Sequence, residues 1–261
     1  MEISFKDKKA LVGGSSRGLG KAIAVQLAKA GASVCLMARN EDKLRKVISE
    51  LDTSQGQKHR YLVADFSDLE AFKKIISAFF KENAVDILVN NTNGPSAGTV
   101  FDKQASDYQS AFDLLFQTVQ YTTMLAIEHM QKQQFGRIIN VTSVSVTEPL
   151  QNLVLSNTIR TALVSWAKTL SKELAKDNIT VNNILTGYFD TERLDEINRK
   201  VAGEKGVDLD QLKKQMQMQV PMQRFGKPEE YGYLVAFLAS EYASYITGSN
   251  IPIDGGLLKA I

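Results

Sequence analysis

The stretch Gly14-Ser15-Ser16-Arg17-Gly18-Leu19-Gly20 follows the apolar run Ala10-Leu11-Val12 and leads into a pattern of helical period. Strand, glycine loop and helix in that order suit a phosphate cradle. Glycine lets the backbone turn tightly and approach a pyrophosphate, and the helix N-terminus offers N–H groups with no partner of their own. The glycine spacing is not the G-x-G-x-x-G form, and the loop lacks the terminal lysine of an ATP-type loop. Residue types that hold metals are scarce. The only histidines are His59 and His129, and no Cys/His group or carboxylate run has ligand spacing, so no metal site is expected. Cys35, the single cysteine, lies in Val34-Cys35-Leu36-Met37 and reads as a buried strand residue without a disulfide partner in the chain.

Such a loop works only if a sheet presents it, and the rest of the 261 residues implies one. Short apolar runs at 9–14, 33–38, 61–64, 86–90, 136–141, 179–185 and 251–253 predict strands. Helical periodicity runs from the glycine loop to residue 30 and over 41–51, 69–80, 105–131, 152–175 and 228–238. Near-continuous apolar strands alternating with helices imply a parallel sheet covered on both faces. The expectation is an α/β chain: a single doubly wound Rossmann domain over 1–261, with about seven mostly parallel strands and helices on both faces. The polar stretch 191–219 follows a strand at the end of the sheet where ligands bind, and reads as a substrate lid or a surface excursion. Hydrophobic residues make up 44%, and 31 basic residues face 29 acidic ones, which gives no overall pull toward nucleic acid or an acidic membrane. No segment reaches the roughly 18–20 apolar residues of a membrane span. The N-terminus lacks the order of a secretory signal, and the expected location is cytoplasmic.

The glycine spacing resembles the short-chain dehydrogenase/reductase family, and the resemblance covers essentially the whole chain. Asn90-Asn91-Thr92-Asn93-Gly94 resembles its Asn-Asn-Ala-Gly signature, and Gly136-Arg137-Ile138-Ile139-Asn140-Val141-Thr142-Ser143 its fifth strand with a terminal catalytic serine. Val181-Asn182-Asn183-Ile184-Leu185-Thr186-Gly187 is similar to the strand before its Pro-Gly turn, with Thr186 in place of proline. Arg224-Phe225-Gly226-Lys227-Pro228-Glu229-Glu230 and Ile253-Asp254-Gly255-Gly256 are close to the C-terminal signatures of the bacterial 3-oxoacyl-(acyl-carrier-protein)-reductase-like members. The resemblance implies an oxidoreductase acting on a carbonyl or alcohol. It implies cofactor contacts at Gly14, Ser16, Arg17, Gly18, Leu19, Gly20, Arg39, Asp65, Phe66, Asn91, Arg160, Gly187 and Thr191, with Asp65 near the adenine.

An NAD site needs an acidic acceptor for the adenosine ribose after the second strand. Here that position is Ala38, followed by Arg39, with Arg17 in the loop. Two guanidinium groups and no carboxylate suit a 2′-phosphate, so NADP(H) is preferred over NAD(H). The family's chemistry also uses a tyrosine on the helix after the serine and a lysine one turn on. Ser143 is in place, but by that spacing Ser156 stands at the tyrosine position and Arg160 at the lysine position, and Leu115 replaces a supporting asparagine. A serine hydroxyl is far less acidic than a phenol, whose pKa is about 10. Arginine can hold ribose hydroxyls but keeps its proton. Ribose holding survives these replacements; the family's proton relay does not.

Two functions stay open. One is an atypical reductase that polarises its small-molecule substrate with Ser143 and Arg160, with Tyr188 either a substitute proton donor or an aromatic pocket wall. The other is a non-catalytic NADP(H)-binding sensor or structural partner. Glu148, beside Pro149, reads as a solvated turn residue. Leu150, Leu153, Val154 and Leu155 suit an apolar part of a substrate, the core or a subunit contact. The helices 105–131 and 152–175 carry apolar residues on more than one side, as buried and subunit-contact helices do, and a homodimer or homotetramer is expected.

Overall fold

The apolar runs form seven strands: β1 Lys9–Gly13, β2 Ser33–Ala38, β3 Arg60–Val63, β4 Ile87–Asn90, β5 Gly136–Val141, β6 Ile179–Thr186 and β7 Asn250–Ile253. They belong to a computed structural model that describes residues 2–260. All neighbours pair in parallel, in the order β3-β2-β1-β4-β5-β6-β7. Parallel neighbours need crossover connections. Helices supply them: α1 Gly18–Lys29, α2 Glu41–Glu50, α3 Leu69–Glu82, α4 Ala105–Phe112, α5 Thr118–Gln133, α6 Val154–Leu174, α7 Glu192–Lys205, α8 Leu209–Gln219 and α9 Pro228–Ala239. The strand order reverses between β1 and β4, which opens a crevice at their carboxyl ends, where such sheets bind ligands.

Successive strand residues fall into opposite cores, the period-two signature of a sheet buried on both faces. Val12, Leu36, Val89 and Ile139 pack with Ile23, Leu27, Leu44 and Val235 on one side. Leu11, Cys35, Leu88 and Ile138 pack with Phe72, Ile76, Ile127 and Leu170 on the other. A polar row crosses between them. Asn90, Asn140, Asn183 and Asn250 are in register on β4 to β7, and each amide N–H donates to the next side-chain carbonyl at 2.8–2.9 Å.

The long helix expected over 105–131 is interrupted. A wide π turn, Asp113–Gln117, separates α4 from α5. It turns Leu115 into a small cluster with Ala111, Leu155 and Ile159, while Ala126, Ile127 and Met130 of α5 face the sheet. Apolar residues on several sides hid that inserted residue from the periodicity. Helix α6 starts at Val154 rather than 152, because Asn152 has φ +58°. Much of the many-sided apolar pattern is satisfied within the chain: Leu170 and Leu174 join the core. Phe116 meets Trp166 edge-on at 5.8 Å. The polar stretch 191–219 forms α7 and α8, separated at Gly206, which has φ +63°. No helix among the described residues is long and apolar enough to cross a membrane.

Candidate cofactor and active site

Gly14 and Gly18 adopt φ of +56° and +54°, the left-handed conformation that the turn from β1 into α1 demands. Gly20 is needed for another reason: a Cβ there would run into the Gly14 carbonyl and Ser15. Buried Ser15 donates to the Val12 carbonyl and accepts from the Met37 amide, tying the loop to β1 and β2. Asn91 donates to the Gly13 carbonyl at 3.0 Å, so its side chain shapes the loop from below. Leu19 packs against the core and anchors the first turn of α1. That turn has neither a side-chain cap nor an acidic residue, which leaves its N–H groups for an anion.

Gly14, Ser16 and Arg17 share a cleft of about 560 Å³ with Arg39, Asp65 and Phe66. The sheet thus gathers residues that the sequence spreads over some fifty positions. Ser67 donates to the Asp65 carboxylate from its hydroxyl and its amide, at 2.7 and 2.9 Å, and holds its pKa below the usual range. A cradle that a Cβ would fill, an uncapped helix end and a basic rim together fit a phosphorylated dinucleotide. Arg17 is nevertheless engaged elsewhere. Its guanidinium pairs with Glu196 at 2.5 Å and Glu192 at 3.2 Å, both on α7. The cleft also includes residues that the motifs did not flag: Asn40, Lys43, Arg193 and Glu196. The N-cap position of Asn40 just after Arg39 was a usable signal for the first two; nothing local marked the α7 pair.

At the end of β5, Ser143 caps the short turn Val144–Val146, its Oγ accepting the Ser145 amide at 3.1 Å. Its own O–H has no hydrogen-bond acceptor among the described residues. On α6, Arg160 donates to Ser156 Oγ at 3.2 Å and to the Val141 carbonyl at 2.7 Å, which ties α6 to the tip of β5. Desolvation pulls the Arg160 pKa down, opposed by the nearby Tyr231, yet a guanidinium stays charged. Ser156 is therefore a neutral hydroxyl beside a fixed cation.

The remaining expected residues lie on other segments, and the cleft walls do not include Ser143, Ser156 or Arg160. Thr191 caps α7 through the Leu194 amide, and a Cβ on Gly18 would sit 3.6 Å from its side chain. Gly187 donates to the Ile253 carbonyl, and a Cβ there would meet Asp254 at 2.6 Å, so close approach to β7 sets its identity. Tyr188 lines a separate pocket of about 360 Å³ with Phe189, Met222 and Arg224, whose walls do not include Ser143, Ser156 or Arg160. Its ring packs edge-on against Phe225, and burial raises its phenol pKa. Glu148 lies in a bend, half-buried, and has partners that the sequence did not suggest. Its carboxylate accepts the Lys259 and Ala260 amides, each at 2.7 Å, and clasps the C-terminal segment. Leu155 is core, whereas Leu150 and Val154 line an open groove with Pro149 and Val100. Both histidines bond within the scaffold, His59 to the Val34 amide and His129 to Asp86.

A family model described as enoyl-(acyl carrier protein) reductase matches residues 14–258. The chain is 32% identical to a 3-oxoacyl-(acyl-carrier-protein) reductase of Aquifex aeolicus, over 98% of this chain and 100% of the relative. It is 34% identical to the NADPH-dependent reductase BacG of Bacillus subtilis, over 97% and 99%. Among solved structures, the L-sorbose reductase of Gluconobacter frateurii, complexed with NADPH and L-sorbose, is similar with a TM-score of 0.92 at 30% identity, covering 100% of both chains.

Proposed function

This chain belongs to the short-chain dehydrogenase/reductase superfamily, in its ketoreductase-like branch, and we propose that it is an NADP(H)-dependent oxidoreductase of a small carbonyl or alcohol substrate with an atypical centre. The observation that carries this is the cleft that gathers Gly14, Ser16, Arg17, Arg39 and Asp65; Ser143, just past the end of β5, supports it. NADPH appears in the names of BacG and of the L-sorbose reductase complex, which supports the cofactor choice made from Arg17 and Arg39. Bound there, the cofactor supplies or accepts the hydride. Gly14 to Gly20 would hold its pyrophosphate, Asp65 and Phe66 its adenine, and Arg160 its nicotinamide ribose.

Ser143 donates a hydrogen bond to the substrate oxygen. Ser156 and Arg160 stand at the family's tyrosine and lysine positions, and they alter the chemistry. Ser156 lines the site without acting as an acid, and the proton on the substrate oxygen exchanges with water. A preorganised donor and a fixed positive charge stabilise developing negative charge on oxygen, often the larger catalytic contribution. The α7–α8 pair serves as the lid. The chain assembles as a homo-oligomer, so light scattering is expected to give a multiple of 28.9 kDa, and a mass of one chain would overturn that assignment.

The test is an NADPH-oxidation screen over ketones, activated ketoesters and quinones. It uses the wild type, Ser143→Ala, and Ser156→Tyr combined with Arg160→Lys. Ser143→Ala is expected to lose about a hundredfold or more in rate, since removing one oxyanion donor costs roughly 3 to 4 kcal/mol, with NADPH affinity retained. A wild type that binds NADPH and turns over nothing, while the double variant gains activity, identifies a sensor instead. Full activity in Ser143→Ala removes the proposed donor, and Tyr188→Phe then decides whether that phenol carries the role.

A further inference from the structure

Arg17 is the glycine-loop cation, yet its guanidinium already has two partners. Nη1 donates to Glu196 at 2.5 Å and to Glu192 at 3.2 Å, and Nη2 to the second Glu196 oxygen at 3.1 Å. Both carboxylates come from α7. Glu196 lines the same cleft as Gly14, Arg39 and Lys43. A carboxylate there competes with a 2′-phosphate, because two anions cannot both take the bidentate face of one guanidinium. The contact is open to exchange: the side chains of Arg17, Glu192 and Glu196 are 31%, 66% and 45% exposed. Arg193 stands ready as an alternative partner, 3.7 Å from Glu196 and itself lining the cleft. The start of α7 also sits on the loop, through Thr191 against Gly18.

We infer that Glu192 and Glu196 are the resident counter-ions of Arg17, so that binding a 2′-phosphate is an exchange of partners that frees α7 from the glycine loop. A phosphate monoester carries nearly two negative charges near neutral pH and accepts a bidentate guanidinium, so it displaces a carboxylate. Once it holds Arg17, the two glutamates face an anion and α7 moves off. NAD(H) has no such phosphate and leaves the latch closed. Glu192 and Glu196 are thereby determinants of cofactor specificity and of lid position. The inference rests on the NADP(H) assignment above.

Titration calorimetry with adenosine 2′,5′-bisphosphate, 5′-AMP, NADPH and NADH tests it on the wild type, Arg17→Ala and the double variant Glu192→Gln/Glu196→Gln. Amide hydrogen exchange over 192–205 is followed in parallel. The double variant is expected to bind the bisphosphate and NADPH about three- to tenfold more tightly, the scale of two exposed ion pairs, with 5′-AMP and NADH unchanged. In the wild type, the bisphosphate should speed exchange in α7 and 5′-AMP should not. Unchanged or weaker bisphosphate binding by a double variant with wild-type circular dichroism overturns the latch. So does α7 exchange that responds equally to the two nucleotides, a comparison that needs no variant. Arg17→Ala separates the two layers. If it binds NADPH as well as the wild type does, the assignment of Arg17 to the 2′-phosphate fails. If it binds weakly while the double variant is unchanged, the latch alone fails.

Discussion

A phenol beside a lysine can pass a proton; a serine beside an arginine can only arrange charge. Arg160 spends two of its donors on Ser156 and Val141, which fixes its guanidinium at the tip of β5. In the function proposed above, that centre would hold a ribose and stabilise an oxyanion, and proton delivery would fall to solvent. The lone thiol illustrates the opposite limit, a reactive group made inert. Burial pushes the Cys35 pKa up to about 12, so the nucleophilic thiolate is negligible at pH 8. A thiol reagent should leave the native protein unlabelled over hours and modify one site promptly in denaturant; rapid native labelling would show that β2 opens. The contact between Ser156 and Arg160 was legible because they lie one turn apart on one helix. The partners of Arg17 were not, since Glu192 and Glu196 lie 175 and 179 residues away and act through a fold the sequence does not display. The partners of Glu148 escaped for the same reason, being amides at the far end of the chain.

At the level of elements, α9 steadies the glycine loop by packing on α1. Gly232 makes this possible, since a Cβ there would press within 2.9 Å of the Ala22 carbonyl. The start of α9 is held by Glu230, whose carboxylate takes both Nη groups of Arg224 at 2.7 and 2.8 Å and the Lys227 amide at 2.7 Å. Those bonds, the Arg224 guanidinium first, lower its pKa from 4.5 to about 2. A carboxylate depressed on folding adds stability that is fully present above its unfolded value and is lost as pH falls through its folded value. Glu230 therefore contributes above about pH 4.5, and the contribution fades toward pH 2. Solvent screens this pair, so Glu230→Gln should cost only about 1 kcal/mol at pH 7 and flatten the acid limb of thermal stability. An identical difference from wild type at pH 7 and pH 2.5 would contradict it. Pro228 and Glu230 were readable as a helix start, and strands β2 and β5 match the apolar runs at both ends. The π turn Asp113–Gln117 was not readable, because one inserted residue leaves an all-round apolar pattern unchanged.

Across the whole molecule, the asparagine row bridges the strands whose tips carry the candidate site residues. Asn90 precedes Asn91, Asn140 lies three residues before Ser143, Asn183 shares β6 with the approach to Gly187, and Asn250 shares β7 with the approach to Asp254. Each asparagine was visible in sequence; their alignment was not, because it depends on strand register. Asn140 is fully buried and Asn183 nearly so, so their amides have no water to fall back on. Asn140 uses its carbonyl for Asn90 and its amide for Asn183, so Asn140→Ala strands the Asn183 carbonyl and weakens Asn90, which keeps Thr123. The expected loss is about 2 to 4 kcal/mol, seen in urea as a lower midpoint with an unchanged slope. If the row acts as a network, Asn90→Ala combined with Asn140→Ala costs less than the sum of the single changes, because the first already breaks a bond the second needs. A coupling of about 1 kcal/mol is expected. Strict additivity would mean that each pair stands alone, and that the tips bearing Asn91 and Ser143 are held in place by the apolar cores on either side of the sheet.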